Sequence, residues 1–277
     1  MRVQVARYAG ICYGVERALK LAAEAADSGA EVHTLGPLIH NPQAVAALRE
    51  SGVSVATALD EVDSGTLVIR SHGVEPAIID EARRRGLDVV DATCPHVSKA
   101  HEAAEELMNG GYTVVIVGEA DHPEVEGILA HAGGQAIVVS SAGELPDRLP
   151  SRRIGIVVQT TQSLRRLDEV VEAILPRASE VRVFNTICSA TSKRQQSAEE
   201  LAETVDVTVV VGGHNSGNTT RLVEICSAVN PNVHHVETPD ELDPSWFAGA
   251  ETVGVTAGAS TPDEQMQAVV RAIEAME

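Results

Sequence analysis

The chain has 277 residues and a formal net charge of −19, and this acidic balance argues against nucleic acid as a partner because basic patches bind phosphate backbones. Apolar residues make up 44% of the chain, yet no segment approaches the roughly 20 apolar residues that span a bilayer, so no membrane partner is expected. The four cysteines contain no Cys-x-x-Cys pair and the first residues lack the apolar block of a signal peptide, which predicts a cytoplasmic protein without a disulfide framework.

Three segments along the chain share one order of elements: a β-like run, a cysteine and an amphipathic helix rich in Ala and Glu. The β-like runs cover residues 3–6, 87–90 and 181–184, and the cysteines that follow are Cys12, Cys94 and Cys188. Each cysteine is therefore predicted at the turn between a strand and the N-terminus of a helix. Backbone N–H groups and the helix dipole stabilise a thiolate at such a position.

Two further polar loops follow in each segment, each after another predicted strand. The first of them places a polar residue 28 positions after each cysteine, namely His40, His122 and Ser216. The second precedes predicted helices over residues 75–85, 164–174 and 263–276, and it contains His72, Thr160 and Ser260. An identical offset in three places indicates an internal repeat.

The repeat predicts an α/β protein of three modules, residues 1–83, 84–178 and 179–277, the last of which includes the C-terminal helix. Ligands of parallel sheets collect beyond the carboxyl ends of the strands, where all nine predicted loops lie. We therefore expect a trefoil of modules about a pseudo-threefold axis, with the loops facing one central cavity. Three independent domains joined end to end are the alternative, which leaves the repeated polar loops without a purpose.

One cysteine from each module predicts a metal centre in that cavity, with zinc or an iron–sulfur cluster as the candidates. A [4Fe–4S] cluster normally takes four thiolates, so three ligands leave one iron open for water or substrate. Cys226 is the remaining cysteine, but it lies in a predicted helix interior, where cysteine usually packs as a small apolar residue.

The loops also supply the donors that a monophosphate or diphosphate requires. These donors are His40, His72, His122, Thr160, Ser216, Asn218 and Ser260. Glu124 is the one carboxylate among the selected loop residues and is a candidate proton donor. Taken singly, each residue also fits a capping or turn role, and the triplicate pattern is what favours a function.

These residues stand in a series of short motifs that resembles the 4-hydroxy-3-methylbut-2-enyl diphosphate reductase family over nearly the whole chain. The motifs include Gly-Ile-Cys12-Tyr-Gly-Val, Leu-Ile-His40-Asn, Arg-Ser-His72-Gly, Asp-Ala-Thr-Cys94-Pro, His122-Pro-Glu124, Gln159-Thr160-Thr161, Ile-Cys188, Asn215-Ser216-Gly217-Asn218 and Gly-Ala-Ser260-Thr-Pro. Three positions depart from the family pattern: Gly217 replaces a frequent serine, Ile11 a frequent aromatic residue and Asp121 a common glycine.

The resemblance implies a trefoil around a [4Fe–4S] cluster on Cys12, Cys94 and Cys188, with the substrate hydroxyl at the open iron. Two electrons and two protons would remove that hydroxyl as water and give isopentenyl and dimethylallyl diphosphates, the last step of the non-mevalonate isoprenoid pathway. The implied diphosphate ligands are His40, His72, His122, Ser216, the backbone of Gly217, Asn218 and Ser260. Glu124 would relay the proton, with His122 beside it and Thr160 ordering the substrate hydroxyl.

Two other functions fit three cysteines, and each lacks something here. A non-redox iron–sulfur hydro-lyase acting on a small anionic substrate would clamp a carboxylate with arginine, and the loops offer only Arg70. A cluster carrier would gain nothing from Glu124 and three histidines. A reductase also needs an external electron donor of ferredoxin or flavodoxin type, for which the sequence offers basic residues at 83–85, 152–153 and 165–166.

Overall fold

A computed structural model describes residues 1–276, which form twelve strands and nine α-helices. The strands are β1 (Arg2–Val5), β2 (Val32–Leu35), β3 (Val53–Ala56), β4 (Thr66–Ile69), β5 (Asp88–Asp91), β6 (Thr113–Val117), β7 (Ile137–Val139), β8 (Arg153–Val158), β9 (Glu180–Phe184), β10 (Val207–Val211), β11 (Val233–Val236) and β12 (Thr252–Ala257). The helices are α1 (Tyr13–Asp27), α2 (Pro42–Glu50), α3 (Pro76–Arg84), α4 (Pro95–Asn109), α5 (Pro123–His131), α6 (Leu164–Ile174), α7 (Ser189–Ala202), α8 (Gly217–Val229) and α9 (Asp263–Glu274).

The chain divides into two compact units, each with its own sheets. The first unit (residues 1–16, 39–45 and 189–277) holds a parallel sheet in the order β1-β12-β10-β11. The second unit (residues 17–38 and 46–188) holds two parallel sheets, ordered β3-β2-β4-β5 and β7-β6-β8-β9. The predicted α/β class with parallel sheets is confirmed. Within residues 1–276, no helix has both the length and the apolar character needed to span a bilayer.

Each sheet is completed by the strand that leads into a cysteine turn. β5 precedes Cys94 and pairs with β4, while β9 precedes Cys188 and pairs with β8. β1 precedes Cys12 and pairs with β12, the last strand of the chain. Sheet membership is therefore offset by one strand from the predicted modules, because strand propensity does not specify the partner strand.

The strand–cysteine–helix segments are confirmed, with α1, α4 and α7 starting directly after the three cysteines. The helices predicted after the last loop of each segment are also confirmed as α3, α6 and α9. Helices α2 and α5 were not foreseen as elements. Both are nine-residue helices that begin with proline, a residue whose fixed φ suits the first helical position.

Central strands are buried on both faces, as expected for parallel sheets covered by helices. All four residues of β4 and all five of β10 are buried. Cys226 belongs to this interior, since α8 buries it completely against Ala198, Ala202 and Leu222. Burial raises the pKa of its thiol to about 12, and its Sγ donates to the Ala198 carbonyl at 3.6 Å. The predicted packing role of Cys226 is confirmed.

Gly155 allows α4 to approach the second sheet of the second unit closely. A Cβ atom added at this buried position of β8 would lie 2.5 Å from Cδ2 and 2.9 Å from Cγ of Leu107. Gly254 of β12 has the same relation to Leu201 of α7 in the first unit, at 2.9 Å from Cγ. Two of the three helices that follow the cysteines, α4 and α7, thus pack against glycines of central strands.

We expect Gly155→Ala to lower the free energy of unfolding by about 1–3 kcal/mol, because the methyl group forces Leu107 out of a close-packed position. Urea denaturation of the purified protein measures the change. Gly143→Ala is the matched control, since a Cβ at that exposed position would meet only Ser141 Oγ at 3.8 Å. Equal stability of the two variants would contradict the close approach.

Candidate active site and metal-binding cysteines

The three cysteine turns are held by the same backbone hydrogen bond. The cysteine N–H donates to the carbonyl of the second residue after the end of a neighbouring strand, β12, β4 or β8. The donor–acceptor pairs are Cys12 with Ala259, Cys94 with Ser71 and Cys188 with Thr160, each at 3.0 Å. Within the described residues none of the three cysteines forms a disulfide, all three are partly exposed, and a helix begins at the residue after each. The three cysteine turns, which the sequence predicted to be equivalent, therefore share the same backbone hydrogen bond.

Glu124 lies at the start of α5 in the second unit, and only 1% of its surface is exposed. Its Oε1 accepts from the Thr160 N–H at 2.6 Å and its Oε2 accepts from the Thr160 hydroxyl at 2.9 Å. Thr160 also offers its carbonyl to the Cys188 N–H. One residue of the loop after β8 thus connects the candidate acid to a candidate metal ligand.

Burial raises the pKa of Glu124 to about 7, from an ordinary value of 4.5, although both hydrogen bonds from Thr160 favour the ionised form. The negative charge of Glu119 adds to the effect of burial. Glu124 is therefore divided between its acid and carboxylate forms near neutral pH, which suits a group that gives up a proton and recovers it.

Two of the predicted histidines meet beside this carboxyl group. The rings of His72 and His122 form an edge-to-face pair with centroids 5.4 Å apart. His122 is also the N-cap of α5, where its Nδ1 accepts from the Glu124 N–H at 3.1 Å. The capping role that the sequence left open therefore applies to His122, and it fixes the ring relative to Glu124.

The predicted residues of the first unit gather at the carboxyl ends of β10 and β12. Ser260 donates through Oγ to the His40 carbonyl at 2.9 Å, and Oδ1 of Asn218 accepts from the Ala259 N–H at 2.9 Å. Ser216 is the N-cap of α8, where its Oγ accepts from the Thr219 N–H. Asn218, Ser260 and the acceptor for the Cys12 amide thus belong to one bonded group.

Asn218 retains a buried donor in this group. The residue is 4% exposed, and within residues 1–276 its Nδ2 atom has no hydrogen-bond partner. A buried amide N–H without an acceptor costs free energy, which an anionic ligand would recover. Gly217 is the first residue of α8, so its N–H belongs to the helix N-terminus, where backbone donors and the dipole favour anions.

Several supporting residues were missed by the sequence reading. Gln159 and Gln162 are both fully buried: Gln159 Oε1 accepts from the Glu119 N–H at 3.0 Å, and Gln162 Nε2 donates to Glu119 Oε1 at 2.7 Å. In the first unit Asn41 caps α2 through the Ala44 N–H. The Gln-Thr-Thr-Gln stretch at 159–162 was the available signal, because glutamine is rarely buried without a specific partner.

The donor set suits a soft metal centre. Three thiols at helix N-termini are ligands that favour iron–sulfur clusters or zinc, whereas Mg²⁺ and Ca²⁺ prefer oxygen. Cys226 does not join them, because it is fully buried inside α8 packing. The set thus comprises three thiols rather than four.

We expect the stability of Glu124→Gln relative to the unsubstituted protein to rise with pH. The folded-state pKa of Glu124 is raised, so its favourable contribution is complete below the unfolded value of 4.5 and is lost as pH passes about 7. Glutamine has no proton to lose. The free energy of unfolding of Glu124→Gln minus that of the unsubstituted protein should therefore increase by the order of 2–3 kcal/mol between about pH 5 and about pH 8.

Urea denaturation of both proteins across this pH range measures the difference in their free energies of unfolding. Glu126→Gln, on the same helix but with a half-exposed side chain, is the control and should follow the unsubstituted protein. Parallel curves for Glu124→Gln and the control would show that the buried carboxyl does not titrate in this range.

Comparison with known proteins places these features in a family. Residues 3–274 match the LytB protein family. The 4-hydroxy-3-methylbut-2-enyl diphosphate reductase of Geotalea uraniireducens is 50% identical over 99% of this chain and 97% of its own length. The enzyme of the same name from Geobacter sulfurreducens is 52% identical, again over 99% and 97%.

Two solved structures share the fold. One is (E)-4-hydroxy-3-methyl-but-2-enyl diphosphate reductase, described as the terminal enzyme of the non-mevalonate pathway, with 47% identity, a TM-score of 0.73 and coverage of 99% of both chains. The E-1-hydroxy-2-methyl-but-2-enyl-4-diphosphate reductase of Plasmodium falciparum is 26% identical, with a TM-score of 0.91 over 97% of this chain and 86% of that one. The family resemblance seen in the motifs is confirmed: the chain belongs to the LytB family of 4-hydroxy-3-methylbut-2-enyl diphosphate reductases.

Proposed function

We propose that this chain reduces (E)-4-hydroxy-3-methylbut-2-enyl diphosphate to isopentenyl and dimethylallyl diphosphates, the last step of the non-mevalonate pathway. Relatives with this activity in their names align over almost the entire chain. The structural observation that carries the proposal is the buried Glu124, whose raised pKa and bonds to Thr160 make a proton donor next to a cysteine turn. We also propose the arrangement predicted from the sequence, which is a trefoil of three modules (1–83, 84–178 and 179–277). A cytoplasmic location is proposed on the same basis.

The proposed cofactor is a [4Fe–4S] cluster held by Cys12, Cys94 and Cys188. Three thiols in equivalent backbone settings support this assignment, as does the burial of the fourth cysteine. Bound by these three cysteines, a cluster would supply electrons and a Lewis-acid position for the substrate hydroxyl. The backbone hydrogen bonds to Ala259, Ser71 and Thr160 hold the three cysteine turns at the ends of their sheets.

The proposed diphosphate ligands are the sequence-predicted polar residues at the helix N-termini and strand ends. They are His40, His72, His122, Ser216, the N–H of Gly217, Asn218 and Ser260. The unpartnered Nδ2 of Asn218 and the N-terminus of α8 support an anion in the first unit. Gly217 lacks the hydroxyl of the serine that is frequent at this position in the family. Its backbone N–H remains as a donor for a phosphate oxygen.

We propose that Glu124 and Thr160 deliver the proton with which the substrate hydroxyl leaves as water. When Glu124 is protonated, its proton can move to Thr160 Oγ1 while the Thr160 hydroxyl gives its own proton to the substrate hydroxyl. Thr160 then ends as a hydroxyl, and Glu124 is left as a carboxylate whose Oε2 accepts from it at 2.9 Å. The balance of the reaction is two electrons and two protons taken up for each hydroxyl lost as water. The edge-to-face contact of His122 with His72 holds both rings, and the Nδ1 cap holds His122 against α5.

The hydro-lyase alternative is not favoured. Its carboxylate substrate would need a free guanidinium, but Arg70 donates through Nε to the Gly73 carbonyl and lies 3.6 Å from Glu126. The relatives are also named as reductases. A carrier without catalysis would leave the buried acid unexplained.

The direct experiment is anaerobic turnover of the hydroxymethylbutenyl diphosphate with a reduced viologen dye as electron source. We expect dye oxidation coupled to formation of the two product diphosphates, measured by absorbance and chromatography. Glu124→Gln should keep substrate binding and lower turnover by about 100-fold or more, because the proton donor is gone. Glu126→Gln serves as the control, and near-normal turnover of Glu124→Gln would remove Glu124 from the proton path.

Anaerobically purified protein should be brown and contain about four iron atoms per chain. Replacing Cys12, Cys94 or Cys188 by alanine should reduce both the visible absorption and the iron content, since each substitution removes a ligand. Cys226→Ala is the matched control and should retain both. A colourless zinc protein, or loss of iron in the Cys226 variant, would contradict the assignment.

A further inference from the structure

An exposed tyrosine flanked by two cations lies in the first unit. The Tyr8 side chain is 41% exposed, the Arg7 guanidinium carbon lies 5.4 Å from its ring centroid, and Lys193 Nζ lies 5.8 Å from it. These distances are typical of cation–π contacts. We call these three residues the Tyr8 patch.

The two cations of the Tyr8 patch keep their charge unneutralised. Among residues 1–276, no carboxylate forms an ion pair with Arg7 or Lys193, and the chain as a whole carries −19. The other two arginines placed over aromatic rings differ, because Arg153 pairs with Glu180 and Arg182 pairs with Glu106. The patch thus carries two cations without an ion-paired carboxylate, on a chain whose net charge is −19.

The basic runs that the sequence offered as docking candidates are largely neutralised. Arg84 and Arg85 pair with Glu81, and Arg153 pairs with Glu180. Arg165 pairs with Glu169 in the same way. Ion pairs with neighbouring carboxylates remove most of the attraction that these runs would exert on an acidic partner.

Lys193 is the fifth residue after Cys188, and the repeat places Arg17 and Lys99 at the same distance from their cysteines. Arg17 uses its guanidinium within the second unit, where it donates to the carbonyls of Thr93 and Asp91 at 3.2 Å. Lys193 instead faces the exposed Tyr8 ring. A cation therefore occupies this position in all three segments, and Arg17 and Lys193 make different contacts there.

The patch is rigidly mounted close to a cysteine turn. The Tyr8 N–H donates to Ser197 Oγ of α7 at 3.2 Å, and Ala6 packs in the core against α7. The Gly10 N–H donates to the Ala257 carbonyl at the end of β12. Cys12 follows Tyr8 by four residues, which limits their separation to about 14 Å.

We propose that the Tyr8 patch docks an acidic one-electron carrier protein that supplies the reaction. The inference rests on the proposed function, since only a reduction draws two electrons from outside for each hydroxyl released as water. Charge complementarity selects an acidic carrier, and tyrosine with arginine is the residue pair enriched at binding hot spots. Weak redox encounters use small interfaces, so the proposed contact does not need a large apolar surface.

The test compares two electron sources for the same loaded enzyme. We expect the double variant Arg7→Glu/Lys193→Glu to lower kcat/KM for a plant-type [2Fe–2S] ferredoxin by about tenfold or more at low ionic strength, because the steering charges are reversed. Reduced methyl viologen is a small cation that needs no docking surface, so its turnover should stay within about twofold. Calorimetric titration with oxidised ferredoxin should show weaker binding by a similar factor, independently of turnover.

Arg83→Glu is the matched control, because Arg83 is exposed and lies on α3 away from the patch in sequence. It carries the same change of charge per residue and should leave ferredoxin kinetics almost unaltered. Unchanged ferredoxin kinetics and binding in the double variant would overturn the proposal, as would an equal loss with viologen. Failure of viologen turnover in the unsubstituted enzyme would instead refute the proposed function.

Discussion

A single hydrogen bond, made three times, supports the chemistry of this protein. Each cysteine amide donates to the carbonyl two residues beyond a central strand, so each turn takes its position from the buried end of a sheet. One such bond contributes only about 1 kcal/mol net, but its acceptor is anchored by strands with no solvent-facing side. If the three thiols hold the proposed cluster, these hydrogen bonds place them before it binds, which lowers the ordering cost of binding it.

Glu124 illustrates a balance between burial and hydrogen bonding. Two donors from Thr160 would normally stabilise a carboxylate and lower its pKa, and complete burial opposes them more strongly. The result is a carboxyl group with a pKa of about 7, which is neither always ionised nor always protonated near neutral pH. The buried glutamines at 159 and 162 engage Glu119, whose charge raises the pKa of Glu124 further. Residues that do not touch the acid thus add to the effects of burial and of its direct partner Thr160.

Much of this arrangement could be predicted from the sequence, and the remainder depends on tertiary contacts. The strand–cysteine–helix segments and the family followed from local pattern and motif order, and the helix after Ser216 already placed Cys226 in its interior. Which sheet receives β1, β5 or β9 could not be predicted, because each strand alternates in the same way whichever neighbour it joins. The cap that His122 forms is a local contact with the Glu124 N–H, two residues along the chain, and the sequence left it open as one of two roles. The engagement of Glu119 by Gln159 and Gln162 joins residues about 40 positions apart, so it depends on tertiary contacts that no local pattern encodes.

Thr160 brings two requirements onto one residue. Its N–H and hydroxyl serve Glu124, and its carbonyl serves the turn of Cys188, so any backbone shift that adjusts the acid also displaces the ligand. Serine alone among common replacements keeps both the hydroxyl and a freely placed main chain, and even it removes the methyl group that limits rotamers. A substitution at Thr160 therefore perturbs the acid and a cysteine turn together, whereas a substitution at Ala259 keeps the carbonyl that receives the Cys12 N–H and removes no side-chain hydrogen bond.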